Sequence, residues 1–327
     1  MNINPIGTSS IVFVTLTGLI WGGWIVGSQT PQGQEALAKA YEAYAQQRSE
    51  THDDLFEPSA LRALVCGTGG ASADGREARP CLAVAAAGKL FVVDTGSGAA
   101  AALSQRNVPL GRLQAVLLTG NAVTQSADLD ELHAAAQPTR AANLLPVYGP
   151  PDTVRLVDGL NAAAGMNGVD SGLQAWGPSP EPGRSVIVYE ADGLIISAFT
   201  TEEDVATGRV GYRFDYRGRS LVVAGDGRAE WASAAANADV VLHSAQTTSL
   251  AHLHQAPLGA PTVAEVAAAA RRHNSALVLT GAGDDQLAAS LQVREARAAG
   301  LDDVFAGRIG MLLELPLANS EVNVRPL

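Results

Sequence analysis

Cysteine is nearly absent from this chain, with two in 327 residues. That excludes a disulfide-stapled scaffold and a cysteine-rich structural zinc module, both of which need more. Aromatic residues are also scarce, at 5% against 47% hydrophobic residues in all. The core is therefore aliphatic, and the 34 glycines suit close packing of helices on sheets. Cations are outnumbered, 22 Lys and Arg against 33 Asp and Glu, for a formal charge of −11. Nucleic-acid binding rests largely on cations set against phosphates, so no nucleic-acid partner is expected. Residues 1–34 contain no charged side chain at all. A cleaved secretory leader normally has a basic start, and none is present. There is no internal repeat and no GxSxG nucleophile turn.

What is present is a series of apolar runs bounded by glycine turns. Residues 63–70 read ALVCGTGG, and residues 82–98 read LAVAAAGKLFVVDTGSG, two runs about a Gly-Lys turn that end at Asp94. LPVYGPP follows at 145–151, VIVYEADGLIISAFT at 186–200 and VGYRFDYRGRSLVVAGDGR at 210–228. The last two are hairpins across Ala-Asp-Gly and Arg-Gly-Arg. Helix–strand units come after, with 263–273 predicted helical and 276–280 a strand. Residues 117–129 read LLTGNAVTQSADL: an apolar strand, a turn and a helix start at Asp128.

In order and wording these segments resemble the metallo-β-lactamase superfamily, in its arylsulfatase-like and ribonuclease-Z-like branch. The resemblance runs from about Leu61 to the C-terminus. It implies an αββα sandwich, two sheets face to face with helices outside. It also implies an HxHxDH motif in the 117–129 frame, whose histidines and aspartate hold a zinc pair. Those positions are Gly120, Ala122, Thr124 and Gln125, none of which replaces imidazole or carboxylate as a ligand. Glu203 or a neighbour stands where the third histidine is expected. The bridging aspartate matches Asp226, His243 is followed by Ser244 in place of an acidic residue, and the strand before the last histidine ends at Gly281. A carboxylate without histidine partners makes a poor zinc site. Asp226 also reads as a turn carboxylate between Gly225 and Gly227. His243 reads as a hydrogen-bonded edge histidine, His133 and His273 as solvated. His252 and His254 form an HxH pair that can rebuild a metal site with Asp226 and His243.

Residues 11–26, IVFVTLTGLIWGGWIV, are apolar apart from threonines and glycines. With uncharged flanks they reach the roughly 20 residues of a membrane span, and Trp21 and Trp24 suit an interface. Gly18 and Gly22, then Gly23 and Gly27, are small residues four apart, a spacing that lets another helix pack closely. The expected organisation is a membrane anchor over 1–33, an amphipathic helix and linker over 34–60, and the sandwich domain over 61–327. Cys66 and Cys81 flank the first hairpin; in an oxidising compartment they pair, in cytoplasm they are buried thiols. The expected protein is a catalytically inactive hydrolase relative without a cofactor. It is anchored in the bilayer with its domain in the periplasm, as a structural or assembly subunit among other membrane subunits, for example of a respiratory or photosynthetic complex. The alternative is an envelope metal-dependent hydrolase, sulfatase- or phosphodiesterase-like, with a rebuilt metal site. Ser244 beside His243 makes a weak nucleophile–base pair, since adjacent strand residues face opposite ways.

Overall fold

A computed structural model describes residues 30, 31, 33–35, 38, 39, 52–69, 80–201, 208–227, 231–245, 261–283 and 285–327. The chain divides into two units, 1–51 and 52–327. In the first, residues 33–35 and 38–39 are helical, and Lys39 pairs with Glu35 one turn earlier at 2.8 Å. Gly18, Gly22, Gly23 and Gly27 lie outside the described residues, as does the apolar run 11–26. Among the described residues no helix is long and apolar enough to cross a membrane.

The second unit starts as a meander of β1 (Ala60–Gly67), β2 (Cys81–Ala86) and β3 (Lys89–Val93). Helix α1 (Ala99–Gln105) crosses to β4 (Leu113–Leu117). Short α2 (Val123–Ser126) and α3 (Leu129–Ala136) lead to β5 (Leu144–Tyr148). Helix α4 (Thr153–Ala164) then leads to β6 (Gly172–Trp176). Strands β7 (Ser185–Ala191), β8 (Leu194–Thr200), β9 (Val210–Tyr216) and β10 (Arg219–Val223) form an antiparallel run. Next come α5 (Trp231–Ala234), β11 (Val240–His243), α6 (Val263–Arg272), β12 (Ala276–Leu279) and α7 (Gln286–Ala298). The chain finishes with β13 (Val304–Ala306), β14 (Met311–Pro316) and β15 (Asn323–Pro326). One sheet has the order β15-β14-β1-β2-β3-β4-β5-β6, the other β13-β12-β11-β10-β9-β8-β7.

Local chemistry accounts for these elements. Three tight hairpins turn at Ala87-Gly88, Asp192-Gly193 and Arg217-Gly218, each with both residues at positive φ. That is the type I′ geometry whose twist matches paired strands, and glycine takes its second position at no steric cost. Helix α6 opens on a capping box. Thr262 Oγ1 accepts from Glu265 N at 3.1 Å, while Glu265 Oε2 accepts from Thr262 N at 2.8 Å. Asp285 caps α7 by accepting from Leu287 N and Ala288 N at 2.9 and 3.0 Å.

Alternation along β1 separates the layers. Leu61, Ala63 and Val65 pack with Phe91, Ile196, Tyr212 and Phe214 in the core between the sheets. Leu64 and Cys66 point the other way, into a second core with Leu103, Leu129 and Leu132 from the helices on that side. A third core sets Val266 and Ala270 of α6 against Val241 and Leu277 on the outer face of the other sheet. With the first of these cores in the middle and the other two on the outer faces, the layers make the αββα sandwich. Cys66 and Cys81 are joined in a disulfide that ties the end of β1 to the start of β2.

Candidate functional site

The cleft forms where both sheets end. It is lined by Gly67 at the end of β1, Asp94 after β3, Thr119 and Gln125 beyond β4, Gly225 and Asp226 beyond β10, Ser244 after β11 and Thr280 after β12. In open α/β sheets the strands' carboxyl ends are where ligands sit. The enclosed volume is ≈ 40 Å³, room for water-sized groups.

Asp94 anchors the cleft. Its backbone is left-handed, φ 56°, and the residue is buried. One carboxylate oxygen accepts from Thr119 N at 2.7 Å and the other from Thr119 Oγ1 at 2.8 Å. Burial pushes its pKa up from 3.8 to about 7; the two Thr119 bonds oppose the shift and the nearby Asp226 charge adds to it. Thr119 is held from the other sheet as well, since Val210 N donates to its carbonyl at 3.0 Å. Next to it, Tyr212 Oη donates to Leu118 O at 2.9 Å. Asp128 belongs to the same frame: its carboxylate accepts from Ala100 N in α1 at 2.9 Å.

The positions that the resemblance marked for the metal motif lie in the 120–125 segment, which is closed on itself. Gln125 O accepts from Thr95 N at 2.7 Å, and Gln125 Oε1 accepts from Thr124 Oγ1 at 2.7 Å. The Gln125 carboxamide lies over Gly120, where a Cβ would meet it at 3.6 Å. Ala122 N-caps α2 without a side-chain bond. Asp226 is ion-paired with Arg209, which stands just before β9. His243 is buried in a strand flanked by β10 and β12, so it is an interior and not an edge histidine. Its Nε2 donates to Gly227 O at 2.9 Å and its ring meets Trp231 edge-on at 5.5 Å. Burial lowers its pKa to about 4, against smaller opposing effects of the Gly227 bond and Asp226. Ser244 lines the cleft while the His243 ring does not, so the two do not form a nucleophile–base pair.

A zinc pair does not fit this donor set. Gly120 and Ala122 offer no donor, Thr124 and Gln125 hydrogen-bond each other, and Asp226 faces a guanidinium. Among the described residues no group of three or more His, Cys, Asp and Glu is placed to hold a metal ion. Glu203, His252 and His254 lie outside the described residues. Gly281 is closed to any side chain: a Cβ there would sit 2.3 Å from Ala245 O and 2.7 Å from Ser244 O. Gly281→Ala should therefore cost about 2 kcal/mol or more, because backbone must move. Gly120→Ala, in ordinary contact, should stay within about 0.5 kcal/mol. Urea unfolding of both variants checks this, and equal costs would show that the turn at 281 is loose.

Of two further residues that matter, one was readable in the sequence and one was not. His133 is buried, not solvated; it joins Leu129, Leu132 and Ala136 in the i, i+3, i+4, i+7 stripe of α3, which is the signal for burial. Burial lowers its pKa, with Arg140 adding to the effect. Arg209 carried no signal, because its partner lies 17 residues away across a loop.

No family model matches the chain. It is 28% identical over 206 residues to the ribonuclease Z of Mycobacterium sp. (strain KMS), covering 59% of this chain and 71% of that one. The ribonuclease Z of Mycolicibacterium gilvum is 30% identical over 178 residues, 51% of this chain and 61% of the relative. Among solved structures, the metallo-β-lactamase fold protein YhfI from Bacillus subtilis aligns with a TM-score of 0.62 at 19% identity, over 78% of this chain and 99% of its own. The short form of human tRNase Z aligns with a TM-score of 0.56 at 16% identity, over 67% and 92%.

These relatives overturn the expected function. They bear an enzyme's name, so the expectation of an inactive assembly subunit is set aside; residue types at the positions marked by the resemblance do not decide activity. The expectation of no nucleic-acid partner falls with it, since the relatives are named as ribonucleases, and net charge does not exclude local contacts to phosphate. The bilayer, the partner membrane subunits and the periplasmic placement rested on an anchor that no described helix supplies. The chain has the metallo-β-lactamase fold, and its similarity is to the ribonuclease-Z-like family.

Proposed function

We propose that the chain is a phosphodiester hydrolase acting on RNA, working in the cleft between Asp94 and Asp226. The names of its relatives support the substrate class. The observation that carries the reading is the pair of carboxylates on one small cleft, with Asp94 held at about pH 7. Two carboxyls in unlike surroundings can take unlike roles. Asp94 is the general base: a pKa near the working pH gives both a sizeable ionised fraction and useful basicity. Thr119 holds its carboxylate in place from two sides. Arg209 supplies a cation at the cleft mouth, where a phosphate oxygen competes with Asp226 for the guanidinium. Because the described residues do not fit a zinc pair, no step is assigned to a metal. With a net charge of −11 the chain as a whole does not attract RNA, so phosphate contacts are local.

Hydrolysis of a bis-aryl phosphodiester and of a tRNA transcript tests this reading. Turnover should rise with pH through about 7. Asp94→Asn should lower it by about a hundredfold or more and remove that limb of the profile. Absence of turnover in the wild-type protein, or an unchanged profile in the variant, would sink the assignment.

A further inference from the structure

A second cavity lies away from the cleft and shares no lining residue with it. It measures ≈ 530 Å³ and runs between β13 and β15, the free edges of the two sheets. Its walls include Val293 of α7, Phe305 of β13, Met311 of β14 and Val324 of β15, with Arg308 and Arg325 beside them. The volume is in the range of small-molecule sites, and so is the make-up, mostly apolar with a few polar groups. Val324 is left 37% exposed, apolar surface that a ligand would cover.

Charge says what kind of ligand fits. Acidic residues outnumber basic ones by 33 to 22 in the chain, yet the cavity is lined by two arginines and no Asp or Glu. Arg325 donates to Asp54 at 3.2 Å, in an exposed pair worth little. The exposed Arg308 side chain makes no ion pair among the described residues. A third guanidinium, that of Arg106, packs on Gly310 in the cavity wall, 3.1 Å from where a Cβ would be. An aliphatic wall with cations at its margin matches a molecule with one apolar tail and one anionic head.

We propose that this cavity binds a medium-chain fatty carboxylate, with the tail between the sheet edges and the head on Arg308 and Arg325. The site is independent of the cleft and of the reaction assigned to it. Each methylene taken from water contributes about 0.8 kcal/mol, or roughly fourfold in affinity.

Calorimetric titration of the full chain with octanoate, decanoate and laurate, each below its micelle concentration, tests the proposal. Affinity should rise roughly fourfold per added methylene until the cavity is filled. Dodecyl maltoside, with a neutral head on the laurate-length tail, should bind more weakly. The exposed substitution Arg308→Gln should leave the fold intact and weaken laurate by roughly fivefold; Ala306→Trp, which fills the cavity, should abolish it. The proposal is overturned by no binding, by affinity that ignores chain length, by equal binding of the neutral amphiphile, or by an unchanged laurate affinity in Arg308→Gln.

Discussion

Between pH 4 and 6.5 the unfolding free energy of the wild-type protein should rise only gently with pH, whereas that of Asp94→Asn should rise steeply. The two sites responsible act in opposite directions. Asp94 has a folded pKa raised to about 7 from 3.8. Over that interval the folded state holds more protons than the unfolded one, so this group's contribution falls as pH rises. His243 has a folded pKa lowered to about 4 from 6.5. Here the unfolded state holds more protons, and stability rises with pH until about 6.5. Each full difference of one proton gives about 1.4 kcal/mol per pH unit. The lowered pKa of His133 works in the same sense as His243. Asparagine is nearly isosteric with aspartate and can accept from Thr119 N while donating to Thr119 Oγ1. Its substitution removes the opposing slope and leaves the histidine rise exposed. Urea titrations at half-unit pH steps read this directly. A variant profile parallel to that of the wild type would mean that Asp94 does not titrate in this window.

Reduction of the Cys66–Cys81 disulfide should lower stability by about 3 kcal/mol, the loop-entropy value for a closure of this size. The two cysteines are 15 residues apart, and both are buried. In a unit of this size that corresponds to a drop in Tm of about 6 °C. The bond joins β1 and β2 where their pairing slips between Val65 and Gly67. Cys81 also lines the cleft, so reduction should disturb the cleft wall as well as the unfolded chain. Calorimetry with and without a phosphine reductant measures the effect, and the Cys66→Ala, Cys81→Ala double variant separates the cross-link from the reductant. A Tm unmoved by both treatments would show that the strands hold this register unaided.

Much of the fold was legible because its signals are local. Gly88, Asp192-Gly193 and Gly218 announce tight turns, since glycine accepts a positive φ at no steric cost; that Ala87 and Arg217 also take positive φ was not readable from their type. Thr262 and Glu265 announce a helix start through bonds three residues apart. Strands β13 and β15 were harder to see. They are three and four residues long, and β15 is exposed along its whole length, so neither carries an alternating pattern. The site was less legible. Of the positions the resemblance marked, Gln125 and Asp226 line the cleft, while His243 and Gly281 are not among its lining residues.

Sequence by itself determined the hairpins, the later helix–strand units and the residue types at Gly120, Ala122, Thr124, Gln125 and Gly281, whereas the sandwich layering was what the resemblance implied. The former depend on residue type or on spacing within a few positions. Tertiary structure decided what those positions do. Only packing shows that the carboxamide of Gln125 covers Gly120 while backbone at Ala245 shuts Gly281. Only burial raises Asp94 toward neutrality and keeps His243 neutral, because a desolvation cost depends on everything that surrounds the group. The Arg209–Asp226 pair and the cavity between β13 and β15 arise from segments brought together by the sheets. Such contacts have no local signature, since what unites them is the path of the chain and not its spelling.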